Sequence, residues 1–159
     1  MKTIFNLILL VVVLLFASCS GQKDNTDNFD INKSTRKEDG KVKASERIDL
    51  ENKGVGPMRD VMLAEEIDLD RAKEGEVLFN QYCVICHKVN DKFIGPAMKG
   101  VLDRRSPEWV MNMILEPAKM LKEDPLAKDL FMEFNGSPMS DMGLSEAQAR
   151  AVLEYFRTL

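Results

Sequence analysis

The five residues Cys83 to His87 read Cys-Val-Ile-Cys-His, and they bring together two of the chain's three cysteines and its only histidine. Two thiols and an imidazole this close can form a redox disulfide, contribute to a zinc site, or anchor a haem. The segments around them decide which of these the chain can support.

Helix signals dominate those segments and strand signals are nearly missing. Asp70 can cap a helix through Ala72, Val77, Leu78, Phe79 and Tyr82, an apolar face that runs directly into Cys83. Ser106-Pro107-Glu108 opens a second helix carrying Trp109, Val110, Met113 and Ile114, which should stop before Pro117. Asp124-Pro125 opens a third, bearing Leu126, Leu130, Phe131 and Phe134 and ending at Asn135-Gly136. Ser145 and Gln148 form a capping box ahead of Ala149, Val152, Leu153 and Phe156. Residues 88–100 and 135–143 are loops rich in breakers. An all-α domain with short helices and long loops has a modest core, which implies that something besides side chains fills its centre.

The rest of the chain differs sharply from that domain. Lys2 precedes an apolar run from Ile4 to Phe16, the layout of a secretory signal over residues 1–18 and too short to cross a bilayer. Phe16-Ala17-Ser18-Cys19 resembles the lipobox of bacterial lipoproteins, with Phe16 where leucine is usual; the resemblance implies a lipid at Cys19. Residues 19–56 are polar, with eight basic and eight acidic side chains and no periodicity that would bury a face, and read as a solvated, lipid-anchored tether. Residues 57–159 carry thirteen basic against eighteen acidic residues, a net charge near −5 that would steer a partner with a basic face. No basic stripe for nucleic acid is present.

Weighed against this setting, the three chemistries separate. A disulfide switch calls for a motif at a helix start within an α/β framework, where the dipole lowers a thiol pKa; here the motif falls at a helix end with no strands. Zinc needs four ligands, or three and a water, and the chain offers no second histidine and no further cysteine except Cys19, so only carboxylates could complete what would be a poor structural site. Covalent haem attachment remains, with each thiol added to one vinyl group, and export agrees with it.

From about Ala72 to Leu159 the chain resembles a class I, single-haem cytochrome c at four separated places. These are "GEVLFNQYCVICH", "IGPAMKG", "GSPMSDMGLS" and "AVLEYFRTL", in the order and spacing of that family. The resemblance implies an all-α fold of four to five short helices wrapped around one haem c, bound through Cys83 and Cys86. It further implies that His87 ligates the iron, that the Pro96 carbonyl supports His87, and that Met139, aligned on "GLS", is the sixth ligand. Ser140 departs from the proline common after that methionine, and Met142 is the rival ligand. Met111, Met113, Met120 and Met132 fall on helices and read as core, and Met98 follows the proline loop. Trp109 reads as core, with a haem propionate as the alternative partner for its N–H. Arg104 and Arg105 read as solvated charges, with propionate pairing as the alternative.

These features imply an electron carrier, not an enzyme, working on the periplasmic side of a bacterial membrane between membrane-associated respiratory redox enzymes. "GVGPMRDVML" and "RRSPEWVMNMILEPAKM" look like a subgroup of cytochromes that accompany terminal reductases, nitrous-oxide reductase among them. Two other roles share the same haem chemistry: a haem-based ligand sensor, and a cytochrome subunit held permanently in a reductase or oxidase complex.

Overall fold

The computed structural model describes residues 42–159. The signal region, Cys19 and residues 20–41 of the tether lie outside the described residues. Five helices appear in the order α1 Leu69–Tyr82, α2 Pro107–Leu115, α3 Pro117–Glu123, α4 Pro125–Glu133 and α5 Glu146–Phe156, with one 3₁₀ turn at Val101–Asp103. Among the described residues the only extended pairing is a single bridge between Asp49 and Arg105, so the all-α expectation holds. No described helix is long and apolar enough to cross a membrane.

The helix boundaries follow local chemistry closely. Ser106 caps α2 through the Trp109 N–H, and Asp124 caps α4 through Ala127 N–H, each ahead of a proline in the first turn. Ser145 and Gln148 form the expected capping box of α5. One boundary differs from the sequence reading. The cap of α1 is Asp68 and not Asp70, because it is the Asp68 carboxylate that stands three residues before the Arg71 N–H and accepts from it at 3.0 Å. Asp70 instead lies exposed in the first turn. Sequence signals place Met120 on a helix but do not mark where α3 starts. Pro117 ends α2, but its fixed φ also suits the first position of a new helix, which starts at once.

The core centres on the crossing of α1 with α5. Phe79, 2% exposed, packs edge-on against Phe156 at 5.7 Å between ring centres and tilted against Tyr155 at 5.5 Å. Each aromatic buried this way contributes roughly 1.5–3 kcal/mol through removal from water, and ~1 kcal/mol more through the ring pairing. The methionines divide. Met111 and Met120 are core as expected and Met113 is half-buried, but Met132 is 63% exposed. It sits on the outer side of the short helix α4, where helical position alone does not bury a side chain.

The largest departure from the sequence reading is the segment 42–56, which belongs to the folded unit and not to a solvated tether. Ala44 is 5% exposed, and the chain from Ala44 to Val61 lies along α2, α3 and α4 as a strap. It has no hydrophobic periodicity because polar contacts hold it. Buried Asn112 accepts from Met58 N–H and donates to the carbonyls of Lys53 and Met58. Ser106 Oγ donates to the Asn52 carbonyl, and the Glu108 carboxylate accepts from Val61 N–H. Arg105 is neither a solvated charge nor available to a propionate. It is 3% exposed, and its guanidinium donates to the carbonyls of Ala44 and Arg47 while stacking over Trp109.

Candidate functional site

The site begins where α1 stops. Cys83 follows the last helical residue, and its N–H still donates to Phe79 O at 2.8 Å. The chain then tightens: Cys86 and His87 N–H groups both donate to the Cys83 carbonyl, at 3.1 and 2.9 Å. This turn gathers two thiols and the imidazole beside one apolar cavity. Both thiols are free. Burial, and to a smaller extent the neighbouring Cys86, push the Cys83 thiol up to about 11, so at neutral pH it is protonated and poorly suited to disulfide exchange.

The loop 88–100 folds back behind His87. Gly95 N–H donates to Cys86 O at 2.8 Å, and Met98 and Lys99 donate to Lys88 and Val89. This brings the Pro96 carbonyl to 3.0 Å from His87 Nδ1. A carbonyl only accepts, so Nδ1 carries the proton. Burial lowers the His87 pKa, opposed by this hydrogen bond, and the ring is neutral with Nε2 left as a lone-pair donor. Gly95 is required here: a Cβ on it would stand 2.5 Å from His87 Cε1. Arg104, half-buried, donates to the carbonyls of Lys99 at 3.1 Å and Ala97 at 3.3 Å, bracing the same loop. Neither arginine's role was visible in the sequence, because both act on backbone carbonyls that only the tertiary fold brings near.

The cavity holds about 1200 Å³ of space between atoms, its open mouth included. It is lined by Cys83, Cys86 and His87 from one stretch of chain and by Met139 and Met142 from another, with apolar side chains such as Val110 and Phe134 between them. No Asp, Glu, Lys or Arg of the described residues borders it. The structure brings Pro96, His87 and both candidate methionines to one cavity but does not bring Trp109 there. Trp109, 4% exposed, donates its Nε1–H to Asp124 at 3.1 Å, which is the core reading and removes the propionate alternative.

Two free thiols separated by two residues, a neutral imidazole with Nε2 unengaged, and an uncharged, largely apolar cavity beside them fit a covalent haem. Zinc does not fit, since no group of three or more His, Cys, Asp or Glu among the described residues could hold a metal ion. The fold and the site therefore define a small helical protein with covalently bound haem.

Known proteins agree. A family model for cytochrome c matches residues 72–159. Cytochrome c from Rhodothermus marinus is 48% identical, with a TM-score of 0.63, over 65% of this chain and 88% of that one. An engineered form of the same cytochrome is 47% identical over a similar span, also with a TM-score of 0.63. The c-type cytochrome cy of Rhodobacter capsulatus is 34% identical over 97 residues, 55% of this chain and 49% of that protein. The chain thus spans about half the length of the curated relative it matches. This chain belongs to the cytochrome c family, and it binds one haem c through Cys83 and Cys86.

Proposed function

We propose that this protein is a carrier of single electrons between membrane-associated respiratory redox enzymes, in which His87 and Met139 would hold the iron of its haem. When bound, the haem supplies an iron centre that alternates between ferrous and ferric states. The observation that carries the reading is that His87 and Met139, from separate parts of the chain, border one cavity with the two attachment thiols. Nδ1–H donation to the Pro96 carbonyl fixes the imidazole tautomer and raises the basicity of Nε2. A thioether paired with an imidazole favours the reduced state and a high potential.

Met139 is favoured over Met142 because its side chain packs partly buried against the core cluster, whereas Met142 is 40% exposed. With His87 and Met139 both holding the iron, no position would be left for a substrate, which supports carriage over turnover. Export, a lipid at Cys19 and residues 20–41 as a tether complete the proposal, with a redox donor and acceptor as partners and a terminal reductase or oxidase as one of them.

Replacing Met139 with alanine should abolish the weak far-red absorption of ferric iron–thioether ligation while leaving haem attachment intact. Loss of that band in Met142→Ala instead would reverse the assignment. Rapid carbon monoxide binding by the unaltered reduced protein would favour a ligand sensor over a carrier.

A further inference from the structure

Helix α4 leads straight into the methionine loop, yet among the helices it packs chiefly on the short α3. Leu126 and Ala127 bury its inner face in the core, and the strap adds polar contacts at three points along its length. At the N-terminal end, Asn52 Nδ2 donates at 2.8 Å to the Asp124 carboxylate that caps the helix. In the middle, Arg47 pairs with Asp129 at 2.9 Å. At the last residue, Ser45 donates through both its backbone N–H and its hydroxyl to the two oxygens of Glu133, at 2.8 and 2.6 Å. Of the two ion contacts at Asp129 and Glu133, the second is the better shielded, since the Glu133 side chain is 13% exposed against 44% for Asp129.

Glu133 also faces the loop behind His87. Lys92 Nζ lies 3.8 Å from Glu133 and 4.4 Å from the ring centre of Phe134, a residue of the cavity wall. Beyond Phe134, Asn135 and Gly136 both take left-handed φ values of 57° and 72°. Gly136 N–H closes back on Phe131 O at 2.8 Å, so the helix end directs the chain into Ser137-Pro138-Met139. Any displacement of the end of α4 is therefore passed to Met139 through five residues, two of them in a constrained turn.

We infer that the strap positions the sixth iron ligand: Ser45 and Arg47, acting through Glu133 and Asp129, hold α4 so that Met139 stays on the iron and outside ligands are kept off it. Ser45 and Arg47 are positioning residues, since neither borders the cavity. The inference rests on the reading of Met139 as the ligand. Loss of the strap contacts raises the population in which α4 and the methionine loop have moved away, and a diatomic probe binds only that population.

The test uses the haem-loaded full chain. Ser45→Ala combined with Arg47→Ala should speed carbon monoxide binding to the reduced protein on the order of tenfold. It should also weaken the far-red band and speed amide exchange in α4, with α1 and α5 unchanged. Ser45→Thr with Arg47→Lys, which keeps both donors, should behave as the parent. Arg150→Ala, which loosens α5 at a site away from the strap, supplies a variant of lowered stability for comparison. Carbon monoxide binding that rises equally in Arg150→Ala, or α4 exchange that is unchanged in the strap variant, overturns the inference. A far-red band that survives Met139→Ala overturns the ligand assignment, and α4 exchange still reads out the strap in that case.

Discussion

Gly75 of α1 lies directly against the backbone of Ala151 in α5: a Cβ at position 75 would stand 1.9 Å from the Ala151 carbonyl oxygen and 2.9 Å from Val152 N. Because the obstacle is backbone within a helix, it cannot rotate aside. Gly75→Ala must therefore force α1 and α5 apart and loosen the Phe79–Phe156 contact. The expected cost is about 3 kcal/mol, the upper end for overpacking, despite the better helix propensity of alanine. Chemical denaturation of the holoprotein checks it. A loss below ~1 kcal/mol would show that the crossing is softer than its geometry implies.

Glu154 makes a different kind of join between the same helices. Fully buried, it accepts from Asp68 N–H at 2.9 Å, from Arg157 at 2.6 Å and from Arg150. Burial alone raises its carboxyl pKa, but the Arg150 hydrogen bond, the Asp68 N–H and the two arginine charges outweigh burial and hold it below the ordinary glutamate value. A carboxyl depressed in the folded state adds stability that is fully present above its unfolded pKa and is lost as pH falls through the folded one. Glu154→Gln should therefore lower the Tm at neutral pH, with a penalty that shrinks as pH falls below the ordinary glutamate range. Parallel melts of parent and variant from neutral to acid pH decide it, and a gap that stayed constant would mean that the ionised carboxylate is not the stabilising form.

Trp109→Phe removes the Nε1–H donation to Asp124, whose carboxylate keeps Ala127 N–H and Asn52 Nδ2. With those partners left, the loss should be about 1–2 kcal/mol. The visible spectrum and midpoint potential should not change, because Trp109 does not border the cavity. A shifted potential at unchanged stability would revive the propionate role.

The legible and illegible parts of this protein divide by the range of the interactions involved. Helices α1, α2, α4 and α5 could be read because caps, prolines and apolar spacing act within three or four residues, and misreading Asp70 for Asp68 moved a boundary without changing the element. The attachment motif Cys83, Cys86 and His87 is likewise local. Pro96 and Met139 could be named only through family resemblance, since nothing in their own neighbourhoods ties them to a residue nine or about fifty positions away.

Sequence alone determined the helical class and the haem-attachment chemistry of Cys83 and Cys86, through short-range patterning and composition. Tertiary structure decided that the chain from Ala44 onward is a strap and not a tether. Its buried partners Arg105, Asn112 and Asp124 lie some 50 to 80 residues downstream, and they bind through backbone groups and single polar side chains, which leave no periodic trace. It likewise decided that Arg104 braces the proline loop and that Trp109 faces Asp124, because only the completed fold sets which polar groups are buried together and must satisfy one another.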